Sequence, residues 1–478
     1  MMNEYPFLVG GRWRTGAAPI EVRFPYTGES VALVHQAGKQ DCLDAVACAT
    51  MAFETTRRLS SADRCRILSD LSSLVTKHSE EFVDILVLEG GKTRSSAQQE
   101  VVRAATTLRI SSEEAGRING ELLPLDWTAD TVGRFGITKR VPLGPVLGIT
   151  PFNFPLNLAC HKIGPAIAAG NPIIMKPASA TPVSLLLLGR LALETGLPPE
   201  ALSILPCPAA TAEIMVRDPR IAVLTFTGSP MVGWHLKQIS GSKKVILEHG
   251  GNAAVIVHSD AMLPYAVSRI VTGAFSNAGQ VCISVQRVFI AESVYYQTLD
   301  MIQKSVAALK TGDPRDPGTD IGPMITEEAA SRAENLVREA VEQGATLLCG
   351  GKQTGALFTP TVVTDTSHEM RINCEEAFAP LITVHKYETF NEALSEANRS
   401  DFGMQIGIFT NYFPFILQAF EEAEVGGVIV NDIPTFRADQ MPYGGIKASG
   451  AGKEGPRYAI REMTEEKILV INPQGGLP

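Results

Sequence analysis

Apolar positions along the chain change their spacing near residue 144, and that change predicts its organisation. Between residues 38 and 118 they recur every three or four positions, most clearly over 40–53 and 62–88, which predicts packed amphipathic helices. From Gly144 onward short unbroken apolar runs take over, at 146–150, 172–176, 202–205, 223–226 and 244–247, with helical patterns between them that include 156–169 and 182–195. Five such strands separated by helices predict a parallel sheet covered on both faces. A second alternating series runs from 254 to about 430. Its strands are expected at 285–291, 345–349, 379–387, 407–410 and 427–431, and its helices at 295–309 and 327–343. The Gly- and Pro-rich segment 432–455 reads as an ordered loop. Segments 133–141 and 465–472 are extended and fit neither series, so they are expected to pair with the sheet edge of another subunit.

Composition sharpens this α/β picture. A chain of 478 residues is too long for one ordinary core, so two or three structural units are expected. With 45% hydrophobic and 19% charged residues it is globular, and a net charge of −9 offers no footprint for nucleic acid. The N-terminus has no signal-peptide pattern, and the longest aliphatic run, around 185–188, is far short of the ~20 residues of a membrane helix. The expected location is the cytoplasm. Eight cysteines include no Cys-x-x-Cys, and none clusters with the histidines at ligand spacing, so reduced thiols and no metal site are expected.

Candidate chemistry concentrates at strand ends, where open α/β sheets bind ligands. The first strand runs into Thr150-Pro151-Phe152-Asn153, a turn stiffened by Pro151 and Pro155 in which the Asn153 amide can donate to an oxygen. The second ends at Lys176, placed to meet ribose hydroxyls or a phosphate. The fourth ends in Phe226-Thr227-Gly228-Ser229 before a helix, where backbone amides suit a phosphate. The fifth ends at Glu248, beside Gly250 and Gly251. Cys282 follows in Gly279-Gln280-Val281-Cys282. A free Cys is more often a small buried hydrophobe than a nucleophile, and Gly-x-Gly-x-x-Gly is absent, so these residues need their context.

That context resembles the aldehyde dehydrogenase superfamily over nearly the full length of the chain. The motifs that carry the resemblance are 151–155, 176–178, 226–229, 247–251 and 279–282, followed by Glu375-Glu376-Ala377-Phe378-Ala379-Pro380 and Pro442-Tyr443-Gly444-Gly445 with its continuation to Gly450. The resemblance implies a Rossmann-like cofactor domain (1–118 and 142–249), an α/β catalytic domain (250–455) and a small β oligomerisation element (119–141 and 456–478) in a homodimer or homotetramer. It implies that Cys282 attacks the aldehyde, that Asn153 and the Cys282 N–H form an oxyanion hole, and that hydride leaves to a nicotinamide. Glu248 would then activate the water that hydrolyses the thioester. Implied cofactor contacts are Ile149, Thr150, Pro151, Phe152, Lys176, Ser179, Phe226, Thr227, Gly228, Ser229, Val232, Glu376 and Phe378. Lys176 and Glu376 would hold the two riboses, Thr227 and Ser229 would run along the adenosine and pyrophosphate, and Phe378 would lie against the nicotinamide ribose.

Departures from the family pattern carry the finer expectations. Ser179 stands where many NAD-preferring relatives have Glu, so NADP is favoured over NAD, unless Ser179 only caps the next helix. His249 replaces a usual Leu and is expected to pack or to bond a backbone group. Val281 replaces the Arg of phosphate-binding members, and Arg103 either reaches an anionic substrate group or is a solvated helix residue. The expected substrate is a short 2-hydroxyaldehyde such as lactaldehyde. The alternatives are glyceraldehyde-3-phosphate, phosphonoacetaldehyde or succinate semialdehyde as substrate, a CoA-acylating enzyme, or a silent structural homologue.

Overall fold

The computed structural model describes residues 3–16 and 19–473; the last five residues of the expected 456–478 element lie outside the described residues. The five apolar runs form the parallel heart of an eight-stranded sheet, in the order Lys244–Glu248, Val223–Thr227, Val146–Ile149, Ile173–Lys176, Leu202–Ile204. Strand order reverses between Val146–Ile149 and Val223–Thr227, and the crevice beyond their carboxyl ends is where such sheets take ligands. Short antiparallel strands close both margins. Phe7–Val9 and Arg12–Arg14 extend one side, and Gly450–Ala451 pairs with Lys244–Glu248 on the other.

Helices cover this sheet, most of them through one apolar face. The Pro155–Ala169 helix is buried at every position, between the sheet and the Arg94–Ala115 helix. The predicted helix 62–88 is two helices, Ser61–Lys77 and Ser79–Gly90, because His78 leaves helical geometry between them. The second sheet has seven strands in the order Thr346–Cys349, Thr361–Thr364, Leu381–Tyr387, Val285–Ala291, Ala253–Val257, Gln405–Phe409, Gly427–Val430. Its Thr361–Thr364 strand, only four residues long and directly after Pro360, was not legible as an apolar run.

The two unassigned extended segments find each other. Phe135–Pro142 pairs antiparallel with Thr464–Ile471 over its whole length, and Leu122–Pro124 completes a three-stranded sheet. As the middle strand, Phe135–Pro142 has both edges filled within the chain, which corrects the expectation for 133–141; Thr464–Ile471 is paired on one edge only. Side chains of Leu122, Ile468, Leu469 and Val470 on this sheet are exposed. Among the described residues no helix is long and apolar enough to cross a membrane.

Candidate active site

A cavity of about 710 Å³ opens between the two large sheets, and its wall brings together residues far apart in sequence. Pro151, Phe152, Asn153, Thr227, Gly228, Ser229, Cys282, Glu376 and Phe378 line it. Glu248 lies just beneath, 2% exposed, with its carboxylate against Cys282. Ile149, Thr150 and Phe226 are buried behind the wall, while Lys176, Ser179 and Val232 lie beyond the lining residues. Ser179 caps nothing: the next helix starts at Val183, with Pro182 at its cap position.

The thiol is held by a strained turn. Asn277, Ala278 and Gly279 take positive φ of 52°, 53° and 67°, a left-handed run that costs L-residues energy and recurs at functional sites. The next turn, closed by the Ser284 N–H on the Val281 carbonyl at 2.9 Å, presents Cys282 to the cavity. Its Sγ–H donates to Glu248 Oε1 at 3.1 Å, and the Tyr443 hydroxyl lies 2.9 Å from the same sulfur. The chain leaving Glu248 passes directly against the Cys282 carbonyl, an approach possible because Gly251 has no Cβ.

Asn153 stands on the rigid turn before the Pro155–Ala169 helix. Its Nδ2 donates to the Gln280 carbonyl at 2.9 Å, so the amide already faces the nucleophile's turn. A fully buried ion pair fixes that geometry: Lys92 Nζ meets Glu100 at 3.0 Å and donates to Asn277 Oδ1 at 3.2 Å. Glu100 in turn accepts the Leu156 and Asn157 amides at the helix start.

Below the thiol lies a run of buried charges. Lys162 donates to Thr227 Oγ1 at 2.7 Å and to Glu454 at 3.0 Å, and Arg437 donates to the other Glu454 oxygen at 3.0 Å. Burial alone would raise the Glu454 carboxyl, but Lys162 and Arg437 outweigh it and hold the carboxyl low. Burial, reinforced by the negative Glu454, pushes Glu248 up to about 7, so it can take and release a proton near neutrality. Burial and the Glu248 charge raise the Cys282 thiol well above its usual value, so the resting sulfur carries its proton. Thr227 turns its hydroxyl into this network.

The other end of the cavity suits a dinucleotide. The Pro230–Ile239 helix starts at Ser229, whose side chain makes no cap bond, leaving first-turn amides open to an anion. The Glu376 carboxylate accepts the Gly251 N–H at 3.0 Å, and a Cβ on Gly250 would overlap it. Burial pushes this carboxyl up to about 7. Arg332 fixes the Glu376 loop through the carbonyls of Glu376 and Ala377, at 3.3 and 2.6 Å. Phe378, with φ of 46°, sets its ring edge-on to Phe152 at 5.9 Å. Lys176 Nζ rests on the Pro177 carbonyl at 3.1 Å. His249 turns away from the thiol: Nδ1–H donates to the Ala448 carbonyl at 2.9 Å, and the ring packs edge-on to Trp234 and Phe226. Burial lowers its pKa, so the ring is a neutral packing group.

Sequence reasoning gave no role to Lys162, Tyr443, Arg437, Arg269 and Glu454. Lys162 left a readable signal, a lone cation inside the apolar stretch 156–169, since a buried lysine requires a partner. Arg103 is part-buried and paired: its Nε and Nη2 donate to Asp439 at 3.2 and 2.7 Å. Arg103, Arg269 and Arg437 all line the cavity, and the Arg437 charge reaches the thiol.

Comparison with known proteins agrees with this arrangement. The chain matches the aldehyde dehydrogenase family over residues 13–469. It is 44% identical to 3-sulfolactaldehyde dehydrogenase of Priestia aryabhattai over 472 residues, 98% of either chain. Its fold superposes on aldehyde dehydrogenase 21 from Physcomitrella patens, solved with the reaction product succinate, with a TM-score of 0.98 and 40% identity over the whole of both chains. It also superposes on glyceraldehyde-3-phosphate dehydrogenase GapN from Methanocaldococcus jannaschii, complexed with NADP, with a TM-score of 0.92, 34% identity, and 95% and 99% coverage. A thiol against a buried carboxylate between two α/β sheets, matched along almost the entire sequence, establishes that the chain belongs to the aldehyde dehydrogenase family.

Proposed function

We propose that this enzyme oxidises a short 2-hydroxyaldehyde bearing an anionic group to the carboxylic acid, through a thiohemiacetal and then a thioester on Cys282. The observation that carries the reading is the 3.1 Å contact of Cys282 Sγ with a carboxyl poised near neutrality, at the floor of a cavity with two different ends. Glu248 takes the thiol proton as sulfur attacks, releases it to solvent before hydrolysis, and then takes a proton from the hydrolytic water, which it returns to the departing sulfur. Asn153 Nδ2 and the Cys282 N–H receive the oxyanion. NADP or NAD, when bound, supplies the hydride acceptor. Ser179 puts no carboxylate beside the adenosine ribose, which favours NADP, and Lys176, Ser229 and Glu376 are the residues suited to hold the nucleotide.

An anionic substituent is favoured by Arg437. Its guanidinium lines the cavity with those of Arg103 and Arg269, each bonded to a single carboxylate, Glu454, Asp439 and Asp432 respectively. A sulfonate or carboxylate in the cavity would gain charge-assisted bonds from guanidinium groups, roughly twice as strong as neutral ones. The relatives named for 3-sulfolactaldehyde, succinate and glyceraldehyde-3-phosphate all act on, or yield, short compounds with an anionic end.

The test is a panel of lactaldehyde, 3-sulfolactaldehyde, succinate semialdehyde and glyceraldehyde-3-phosphate, assayed with NAD and NADP, with and without CoA. Free acid without CoA is expected, with kcat/KM for the best anionic aldehyde about tenfold or more above lactaldehyde. Equal rates for lactaldehyde and its sulfonate would remove the arginine reading. A tenfold preference for NAD would remove the Ser179 reading, and CoA dependence would exclude Glu248 as the hydrolytic base. Asn153→Ala is expected to lower kcat by about 100–1000-fold with nucleotide affinity little changed; an undiminished kcat would take Asn153 out of the chemistry.

A further inference from the structure

Tyr443 is a buried phenol with an unusual partner. Its ring is 1% exposed among Val281, Ile283 and Met404, where phenylalanine would pack equally well. A buried hydroxyl is costly unless bonded, and this one lies 2.9 Å from the sulfur of Cys282. We infer that the Tyr443 hydroxyl is a catalytic donor that holds the Cys282 thiolate in the interval between loss of the thiol proton and attack on the aldehyde. This rests on the proposed role of Cys282 as nucleophile.

The placement is over-determined. Tyr443 and Glu454 exchange backbone hydrogen bonds at 3.1 and 2.6 Å, fixing the ring's position. Arg437, bonded to the Glu454 carboxylate at 3.0 Å, sets its guanidinium 3.7 Å from the centre of the Tyr443 ring. A cation over the ring face draws on the π-system and makes the phenol a stronger donor, so Arg437 acts as a positioning residue through Tyr443.

The charges around Cys282 and its partner Glu248 come from several elements, Glu454 and Lys162 acting on Glu248. Glu248 approaches from its strand, Arg437 and Glu454 from the loop around 432–455, and Lys162 from the Pro155–Ala169 helix. When the S–H bond breaks, the proton passes to Glu248 and the electron pair stays on sulfur. Glu248 becomes neutral, so its repulsion of the thiolate ends. The Tyr443 O–H, which keeps its own proton, and the Arg437 charge then remain to hold the anion. Sulfur next bonds to the aldehyde carbon as the carbonyl π pair moves onto oxygen.

The experiment is the pH profile of inactivation by iodoacetamide, with the alkylated cysteine located among the eight by mass spectrometry. For Tyr443→Phe the rising limb for Cys282 is expected to move up by about one pH unit, with alkylation at pH 7 about tenfold slower. Thermal unfolding checks that the variant is folded. Replacing Tyr443 with 3-fluorotyrosine, a stronger donor of nearly the same shape, is expected to shift the limb downward. A packing role would leave both profiles on the wild-type curve, and that result overturns the inference. If alkylated Cys282 still supports aldehyde oxidation, the nucleophile reading itself fails, whatever the Tyr443 variants do.

Discussion

Replacing Cys282 with serine is expected to take aldehyde-dependent nucleotide reduction to the assay floor, a loss of about 10⁴-fold or more. Serine keeps the shape and can still bond Glu248 and Tyr443, so neither buried partner is stranded and the fold should hold. What is lost is the nucleophile. A carboxyl near 7 can take the proton of a thiol, which even when raised by burial is far more acidic than an alcohol, but it cannot usefully ionise an alcohol. Without attack there is no thiohemiacetal from which hydride can leave. Nucleotide binding, followed by fluorescence titration, should be unaffected, because the residues suited to it lie at the other end of the cavity. Turnover within tenfold of wild type would show that the reaction does not pass through this sulfur.

Glu248→Gln is expected to split the reaction at its midpoint. The first turnover should still appear as a burst of reduced nucleotide, slowed by loss of the proton acceptor, while steady-state turnover falls by about 100–10,000-fold. A thioester on Cys282 should accumulate and be visible by mass spectrometry of the quenched enzyme. The pH dependence follows the same group. Its acid form predominates below about 7 and its base form above, so hydrolysis in the native enzyme should rise through pH 7 and then level off. In the glutamine variant that rise should vanish, leaving a shallow dependence on hydroxide. A glutamine variant with full steady-state rate and the native pH profile would assign the base elsewhere.

How far the sequence speaks depends on distance along the chain. The five parallel strands were legible because each is buried on both faces and reads as a short apolar run. Thr361–Thr364 was missed because four residues after a proline carry too little periodicity. The pairing of Phe135–Pro142 with Thr464–Ile471 was missed for another reason: each strand's extended character is local, but the choice of partner is not. The site divides the same way. Cys282, Glu248 and Asn153 lie in motifs that are weak singly and gain their meaning from their order along the chain. Tyr443 lies in a motif too, but its contact with the thiol, like the placement of Arg437 and Glu454, arises only when a loop closes beneath Cys282. Arg103 shows the limit plainly, since its Asp439 partner lies 336 residues away.

The 2.9 Å bond from Asn153 to the Gln280 carbonyl has a consequence for when this donor acts. The amide is already satisfied before any substrate arrives. A neutral aldehyde oxygen entering the cavity offers it a bond of the same kind as the one it would give up, so binding the substrate gains almost nothing from Asn153. An oxygen that has acquired a full charge offers a bond roughly twice as strong, and only then does the exchange of partners favour the substrate. On the proposed roles, Asn153 therefore discriminates by charge rather than by occupancy. It lowers the barrier without deepening the well in which the unreacted aldehyde sits.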